Sequence, residues 1–447
     1  MLPDPRPYFA DLSDPRRETR NKLHKLSDIL MIVFCAVLSG VEEWVGMEEF
    51  AEQKEAWLRN FLELPNGIPS HDTLSDVLGR LKPGAFAEAF LRWVYVAVPS
   101  LAGEQVCLDG KTLRGSRVGE NTVHLMSAYA AKARLVLMQH AVADKTNEIT
   151  AIPDMLSLLE LKGALVSIDA MGCQKTIAEQ LVRAEADYLL ALKDNHPQLS
   201  EDVRLWLDTE AAQGRLLPYE TVEKDHGRLE IRRYVLSDAI EWLPQKPQWA
   251  GLQAVGRVES SRLVGDKTTT ECRYYLCSFT ERARFAEAVR SHWDIENGQH
   301  WVLDVQFGED ANRARQNYSA ANLALIRRMA LNVIRHNGPS KDSLRLRQLR
   351  ALLNDDYRAQ LIFGPQQTER DCPEAFIYTK RLSIVVCDCP TSHPDRSQAK
   401  RSFAHERFDA TLATDDRQAP GARPSSVSNQ ACYHPAARWL AASLYLW

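Results

Sequence analysis

The spacing of apolar positions changes character along the chain. Up to about residue 100 it is helical. KLSDILMIVFCAVLSG carries apolar residues on more than one face, which predicts a buried helix. WVGMEEFAEQKEAWLRNFLEL predicts a second. LPNGIPSHDTLSDVLGRLKP then gives a turn rich in Pro and Gly, where Ser70-His71-Asp72 is placed to cap a short helix from Thr73 to Leu81. Two helices about a tight turn suit a DNA-reading unit. A plain helical packing domain fits the same pattern.

From Gln105 the period shortens. VCLDG reads as a short strand ending in an acid. HLMSAYAA and RLVLMQHAVA are strands joined by an AKA turn. EITAIPDMLSLLEL is an amphipathic helix, GALVSIDA a buried strand ending in an acid, KTIAEQLVRAEA a helix and DYLLALK a strand. The order mixes a hairpin meander with later crossovers, an α/β pattern. Residues 219–280 read as a β-rich insertion, with TVEKDHGRLEIRRYVLS and ECRYYLCSF flanking LQAVGRVESSRLV. Helical spacing returns from about Arg282 to Arg335. After Gly364 the period is lost among Pro, Ser, Arg and Asp, so the rest is expected to be disordered or foreign to the main fold.

Composition narrows the class. The 447 residues are 45% hydrophobic and 26% charged, enough to build a sizeable core. The formal charge of −4 shows no global attraction to nucleic acid, so DNA contacts would have to come from local basic patches. The nine cysteines are scattered. Cys387-Asp388-Cys389 with His393 nearby lacks a second pair at zinc-finger spacing, which points to reduced thiols. The apolar run Ile29–Gly40 is too short to span a bilayer, and the N-terminus lacks a signal-peptide pattern. A cytoplasmic protein is expected.

Candidate chemistry rests on acids. Asp109 and Asp169 each follow an apolar strand, and ligands of open α/β sheets bind at strand ends. Two such carboxylates can bridge a pair of Mg²⁺ ions about 3.5–4 Å apart. Each could equally be a turn or helix-cap aspartate. A third ligand is sought in AVRSHWDIENGQHWVLDVQFGEDANRAR. There His292, Glu296, His300 and Asp304 recur every four residues and line one helix stripe. Glu296 is the choice, with Asp304 and Glu309 as alternatives and His292 and His300 as phosphate contacts. A zinc-hydrolase reading of the stripe lacks the HExxH pattern. A solvated polar face is the bland reading, against which Trp293 and Trp301 suit packing or stacking. Candidate DNA contacts are Lys111, Arg114, Lys193, Asn195, His226, Arg228, Arg290, His292, Trp293, His300, Arg313 and Arg315. Between Arg313 and Arg350 nine Lys or Arg stand against one acid, Asp342, which suits phosphate neutralisation or a solvated helix face.

The residues also match a known pattern. DPRRETRNKLHKLSDIL, LPNGIPSHDTL, LDGKTLRGS, KTNEITAIPDML, GALVSIDAMGCQ, DYLLALKDNH, HGRLEIR, HWDIENGQHWVLDVQFGEDANRAR and NLALIRRMALN, in that order, resemble the ISAs-type, H-repeat-associated transposases of bacterial insertion sequences, in the DDE superfamily. The resemblance covers roughly residues 10–360. It implies a helical N-terminal domain (1–100) and a ribonuclease H-like catalytic core (101–340) with a β insertion at about 206–281. It implies a helical segment at 341–364, with 365–447 as a tail. It also implies catalytic acids at Asp109, Asp169 and Glu296 holding Mg²⁺, with Mn²⁺ able to substitute. The reaction implied is cleavage at element ends and strand transfer. The partners implied are terminal inverted repeats and target DNA, with a homodimer on DNA and nucleoid association when bound. Related transposases with such an insertion carry Tyr, Arg, Glu and Lys on the last catalytic helix. The matching positions here are Val289, His292, Glu296 and Leu303, so only the Glu is kept. The alternatives are a nuclease of the same fold and an element product that binds DNA without catalysis.

Overall fold

The computed structural model describes residues 1–20, 22–142, 148–225, 228–339 and 341–364. The expected tail, the Cys387–Cys389 pair, His393 and the candidate His226 lie outside them.

The N-terminal part is helical: α1 (Arg6–Phe9), α2 (Leu26–Leu38), α3 (Trp44–Gln53), α4 (Glu55–Leu58), α5 (His71–Arg80) and α6 (Pro83–Tyr95). Every residue of α2 except Ser27 is buried, as its all-round apolar pattern predicts. Ser70 caps α5 by accepting from the Thr73 amide. The helix expected across 44–64 is instead broken at Lys54 into α3 and α4.

The sheet follows: β1 (Gln105–Val118), β2 (Asn121–Ala130) and β3 (Leu135–Val142), then α7 (Glu148–Ser157), β4 (Leu165–Ile168), α8 (Lys175–Arg183) and β5 (Asp187–Leu192). After α9 (Pro197–Ala212) come β6 (Tyr219–Asp225), β7 (Arg228–Ser237), β8 (Ala254–Val264) and β9 (Lys267–Cys277). These nine strands form one sheet in the order β3-β2-β1-β4-β5-β9-β8-β7-β6. β1, β2 and β3 are antiparallel, β4 and β5 run parallel to β1, and β9 joins β5 antiparallel. The continuous apolar runs of β4 and β5 are those of strands covered on both faces. The β-rich stretch after α9 thus prolongs the sheet rather than closing on itself.

β1 departs from its expected length. It pairs with β4 only from Gln105 to Leu108, opposite Leu165 to Ile168, but with β2 well beyond that. Asp109 is therefore not at the end of its own strand. It stands where the parallel neighbour stops, which leaves that side of β1 open.

The rest is α10 (Arg282–Asp294), a π-helical segment (Ile295–His300), α11 (Trp301–Phe307), α12 (Ser319–Asn337), α13 (Leu344–Leu353) and α14 (Asp355–Phe363). α12 is buried from Ser319 to Ile334 and ties the parts together. Its Asn322 donates to the Leu78 and Leu81 carbonyls at the end of α5. Asn332 satisfies both backbone groups of Val136 on the edge strand β3, at 3.0 and 2.8 Å.

β1 also meets the chain between α11 and α12 backbone to backbone at Gly115. A Cβ there would lie 2.2 Å from the Asn312 carbonyl oxygen and 2.8 Å from that of Asp310. Gly115→Ala is expected to cost about 1–3 kcal/mol, because backbone must shift rather than a side-chain tip. A lower urea midpoint with unchanged m would register it.

Candidate active site

Leu108 and Ile168 are partners in the parallel β1–β4 pairing, so Asp109 and Asp169 follow them as neighbours at the open end. Asp169 Oδ1 accepts from the Gly172 amide at 3.4 Å, which fixes the turn into α8. Glu296 comes from the π-helical segment, and its carboxyl reaches hydrogen-bond contact with that of Asp109. Burial and then the charge of Asp109 raise the Glu296 carboxyl above its ordinary value, with His300 and Lys111 opposing. His300 Nε2 lies 3.0 Å from Asp109 Oδ2. Burial pushes His300 down to about 4, and at this distance its Nε2 makes no hydrogen bond of good geometry.

The π-helical turn matters here. Its wider winding re-aims side chains within a helix and recurs at functional sites. His292, Glu296, His300 and Asp304 all still face the sheet side, but across a change of helix type rather than along one regular helix.

The platform under this segment is polar. Gln105 Nε2 donates to Ser167 Oγ at 2.9 Å and to the Ala288 carbonyl at 2.8 Å. Ser167 Oγ also meets His292 Nδ1 at 2.9 Å. These bonds dock α10 over β1 and β4, and burial holds His292 down at about 4. The sequence reading did not single out Gln105 and Ser167. Their signal was two polar residues inside otherwise apolar strand runs, where a buried polar group must find partners.

Several candidate DNA contacts turn inward. Lys111 is almost fully enclosed, pairing with Asp304 and lying 3.4 Å from Glu309. Its cation serves these acids rather than solvent. Asp304 and Glu309 are correspondingly engaged, Glu309 also with Arg328 at 2.7 Å. His300 is buried against Asp109, and His292 hydrogen-bonds Ser167. Asn195 donates to the Ala170 and Cys173 carbonyls and locks the loop after Asp169. Arg290 pairs with Glu223 of β6.

The others face solvent. Lys193, Arg114, Arg313 and Arg315 are exposed, Arg114 with Asp310 at 3.6 Å and Arg315 donating to the Gly115 carbonyl. Arg228 lies far along the β arm, opposite Val264. Trp293 is partly exposed with Arg273 stacked on its ring, and Trp301 is half exposed. Of the basic run 313–350, Arg327, Arg328 and Arg347 are buried, so that run is not one DNA-facing surface.

Two carboxyls pressed together, one of them raised in pKa, call for a shared proton or a shared cation. That donor set suits a hard divalent ion. Among the described residues, no three or more His, Cys, Asp or Glu side chains are grouped so as to hold a metal ion. No helix among them is long and apolar enough to cross a membrane.

Comparison with known proteins agrees with this framework. Residues 102–333 match the family described as Transposase DDE domain, and residues 7–94 match DDE_Tnp_1-associated. A Xanthobacter autotrophicus protein named "Uncharacterized protein in dhlA 3'region" is 48% identical, over 63% of this chain and 96% of its own length. "Putative transposase YncI" of Escherichia coli O157:H7 is 36% identical over 79% of this chain and 93% of its own. "H repeat-associated putative transposase YhhI" of Escherichia coli K12 is 35% identical over 78% and 95%. A piggyBac transposase synaptic complex with hairpin DNA aligns at a TM-score of 0.34 and 11% identity, too distant to define the fold. The family match spans more than half of the sequence and the relatives most of it, and so the chain belongs to the ISAs-type, H repeat-associated DDE transposases.

Proposed function

We propose that this protein cleaves the ends of an insertion sequence and joins the freed 3′-OH to target DNA, with Asp109, Asp169 and Glu296 as its catalytic acids. The observation that carries the reading is the contact between Asp109 and Glu296 beside the β1–β4 strand ends, with Asp169 next in register. The strand order β3-β2-β1-β4-β5, antiparallel then parallel, supports a ribonuclease H-like core continued by β6–β9.

Asp109, Asp169 and Glu296 would hold divalent ions, Mg²⁺ with Mn²⁺ as substitute. Bound there, such ions neutralise charge on the attacking and leaving oxygens of an in-line displacement. The remaining work belongs to the chain. His300, 3.0 Å from Asp109 Oδ2, would steady that carboxylate once the site is filled. The Lys111–Asp304 pair fastens β1 to α11, the helix that continues the Glu296 segment. The exposed Arg114, Arg313 and Arg315 are candidates to meet backbone phosphates, and Trp293 offers an aromatic surface. Two copies acting on two element ends fit this chemistry.

The test is incubation of purified full-length protein with labelled element-end DNA and Mg²⁺. New 3′-OH ends that join a target duplex are expected. Cleavage without joining would leave a nuclease, and binding without cleavage a catalytically silent DNA binder. No binding at all would remove the reading.

A further inference from the structure

One cluster of cations takes no part in the site above. The turn between β2 and β3 contains Lys132 and Arg134. Together with Tyr129, Ala131, Asp294 and Gly298 these line a cavity of ≈ 350 Å³. Arg335 of α12 reaches the same wall. Its Nη1 lies 3.5 Å from the Tyr129 hydroxyl, and its Nη2 donates to the Gly298 carbonyl. The Arg134 charge also acts on the Tyr129 hydroxyl. Two guanidinium charges thus bear on one phenol oxygen.

The approach depends on Gly298. A Cβ there would stand 3.0 Å from the Tyr129 hydroxyl and 4.0 Å from the Arg335 Nη2. Burial, with the neighbouring Arg134 charge adding to it, holds Arg335 below its ordinary value, although Tyr129 opposes this. Neither arginine has a carboxylate within ion-pair distance among the described residues. Asp294 lines the cavity but pairs with neither. Two buried guanidiniums elsewhere do meet an acid, Glu309 for Arg328 and Asp355 for Arg358. Here the exposed Arg134 and the half-buried Arg335 stand at one pocket, and no carboxylate among the described residues pairs with either. Guanidinium forks suit tetrahedral oxyanions, which accept several parallel N–H bonds.

We propose that Arg134 and Arg335, with Lys132 at the rim, form a phosphate-binding pocket that takes a phosphodiester group of the DNA backbone. The choice of DNA as the source rests on the transposase reading; the anion site itself does not. Asp294 and Gly298 flank Glu296 in sequence, so a phosphate held there would seat DNA against the segment that carries the third acid. Its role is positioning, not chemistry.

The experiment uses the full-length protein and Arg134→Gln and Lys132→Gln variants, chosen because both side chains are exposed and the fold should survive. Duplex DNA of arbitrary sequence is titrated across a salt series. Each lost phosphate contact should weaken binding on the order of tenfold and reduce the log K against log salt slope by about 1. A second arm measures thermal protection by inorganic phosphate against chloride at matched ionic strength. Wild-type protection that disappears in Arg134→Gln is expected. DNA binding by the wild type with the same affinity and slope in both variants overturns the pocket while leaving the transposase reading intact. If the wild type binds no DNA, that reading fails and the phosphate arm decides. Protection lost in the variant then supports a free-phosphate site, and no protection overturns it.

Discussion

Asp109→Ala is expected to lose metal-dependent cleavage by on the order of 10³-fold or more, while duplex binding stays within a few-fold of wild type. Removing an outer partner of a metal ligand already costs about 10–100-fold, and removing a ligand costs more. DNA binding should survive because the exposed candidate contacts, Arg114, Arg313 and Arg315, are untouched. A second consequence sets this apart from a purely structural role. Glu296 is raised by burial and by the Asp109 charge, so the pair stores repulsion in the absence of a cation. Asp109→Asn removes one charge at nearly constant shape. It should therefore melt at the same temperature as wild type or higher, measured without divalent ions, while remaining inactive. Cleavage at the wild-type rate in either variant would move the chemistry to other acids. A marked fall in melting temperature for Asp109→Asn would mean that Asp109 is held for the fold.

The largest stability effect is expected at Arg328. Its Nη1 donates to Glu309 Oε1 at 2.7 Å and to the Ala324 carbonyl at 3.0 Å, and both side chains of the pair are fully buried. Arg328→Met leaves Glu309 with Lys111 as its remaining close cation. Stranding one member of a buried pair costs about 3–5 kcal/mol. The Glu309→Leu, Arg328→Met double variant removes both charges and should recover part of that loss, which denaturant titration of the three proteins would show. Equal midpoints for the single and double variants would contradict the coupling. The same pair sets an acid limit. Burial alone would raise Glu309, but the charges of Arg328, Lys111 and Arg327 outweigh it and hold the carboxyl at about 2. A depressed carboxyl contributes stability that is complete above its unfolded value near 4.3 and is lost as pH falls toward 2. The wild type should show that acid loss, and the double variant a smaller one.

Much of this protein was legible one element at a time. The all-round apolar pattern of α2, the Ser70 cap of α5, the β2–β3 hairpin and the alternation that gives β4, α8 and β5 are local properties. Periodicity and capping report them because neighbouring residues decide them. The candidate acids were also visible, since an acid directly after a buried apolar run is unusual without a partner. Motif order along the chain carried the family assignment.

Tertiary structure decided what no local window contains. The sequence could not say that β4 stops at Ile168 while β1 runs on to Val118, although that mismatch opens the side of β1 at Asp109. Nor could it separate cations bound for solvent from cations bound for buried acids. Lys111 looks like Arg114 in a string of letters, yet one is enclosed by Asp304 and Glu309 and the other is exposed. The partner that captures a charge lies some 200 positions away in the chain, and only the packed fold brings it within reach. The π-helical turn at Ile295–His300 is likewise absent from the four-residue spacing of His292, Glu296, His300 and Asp304, which by itself describes a regular helix.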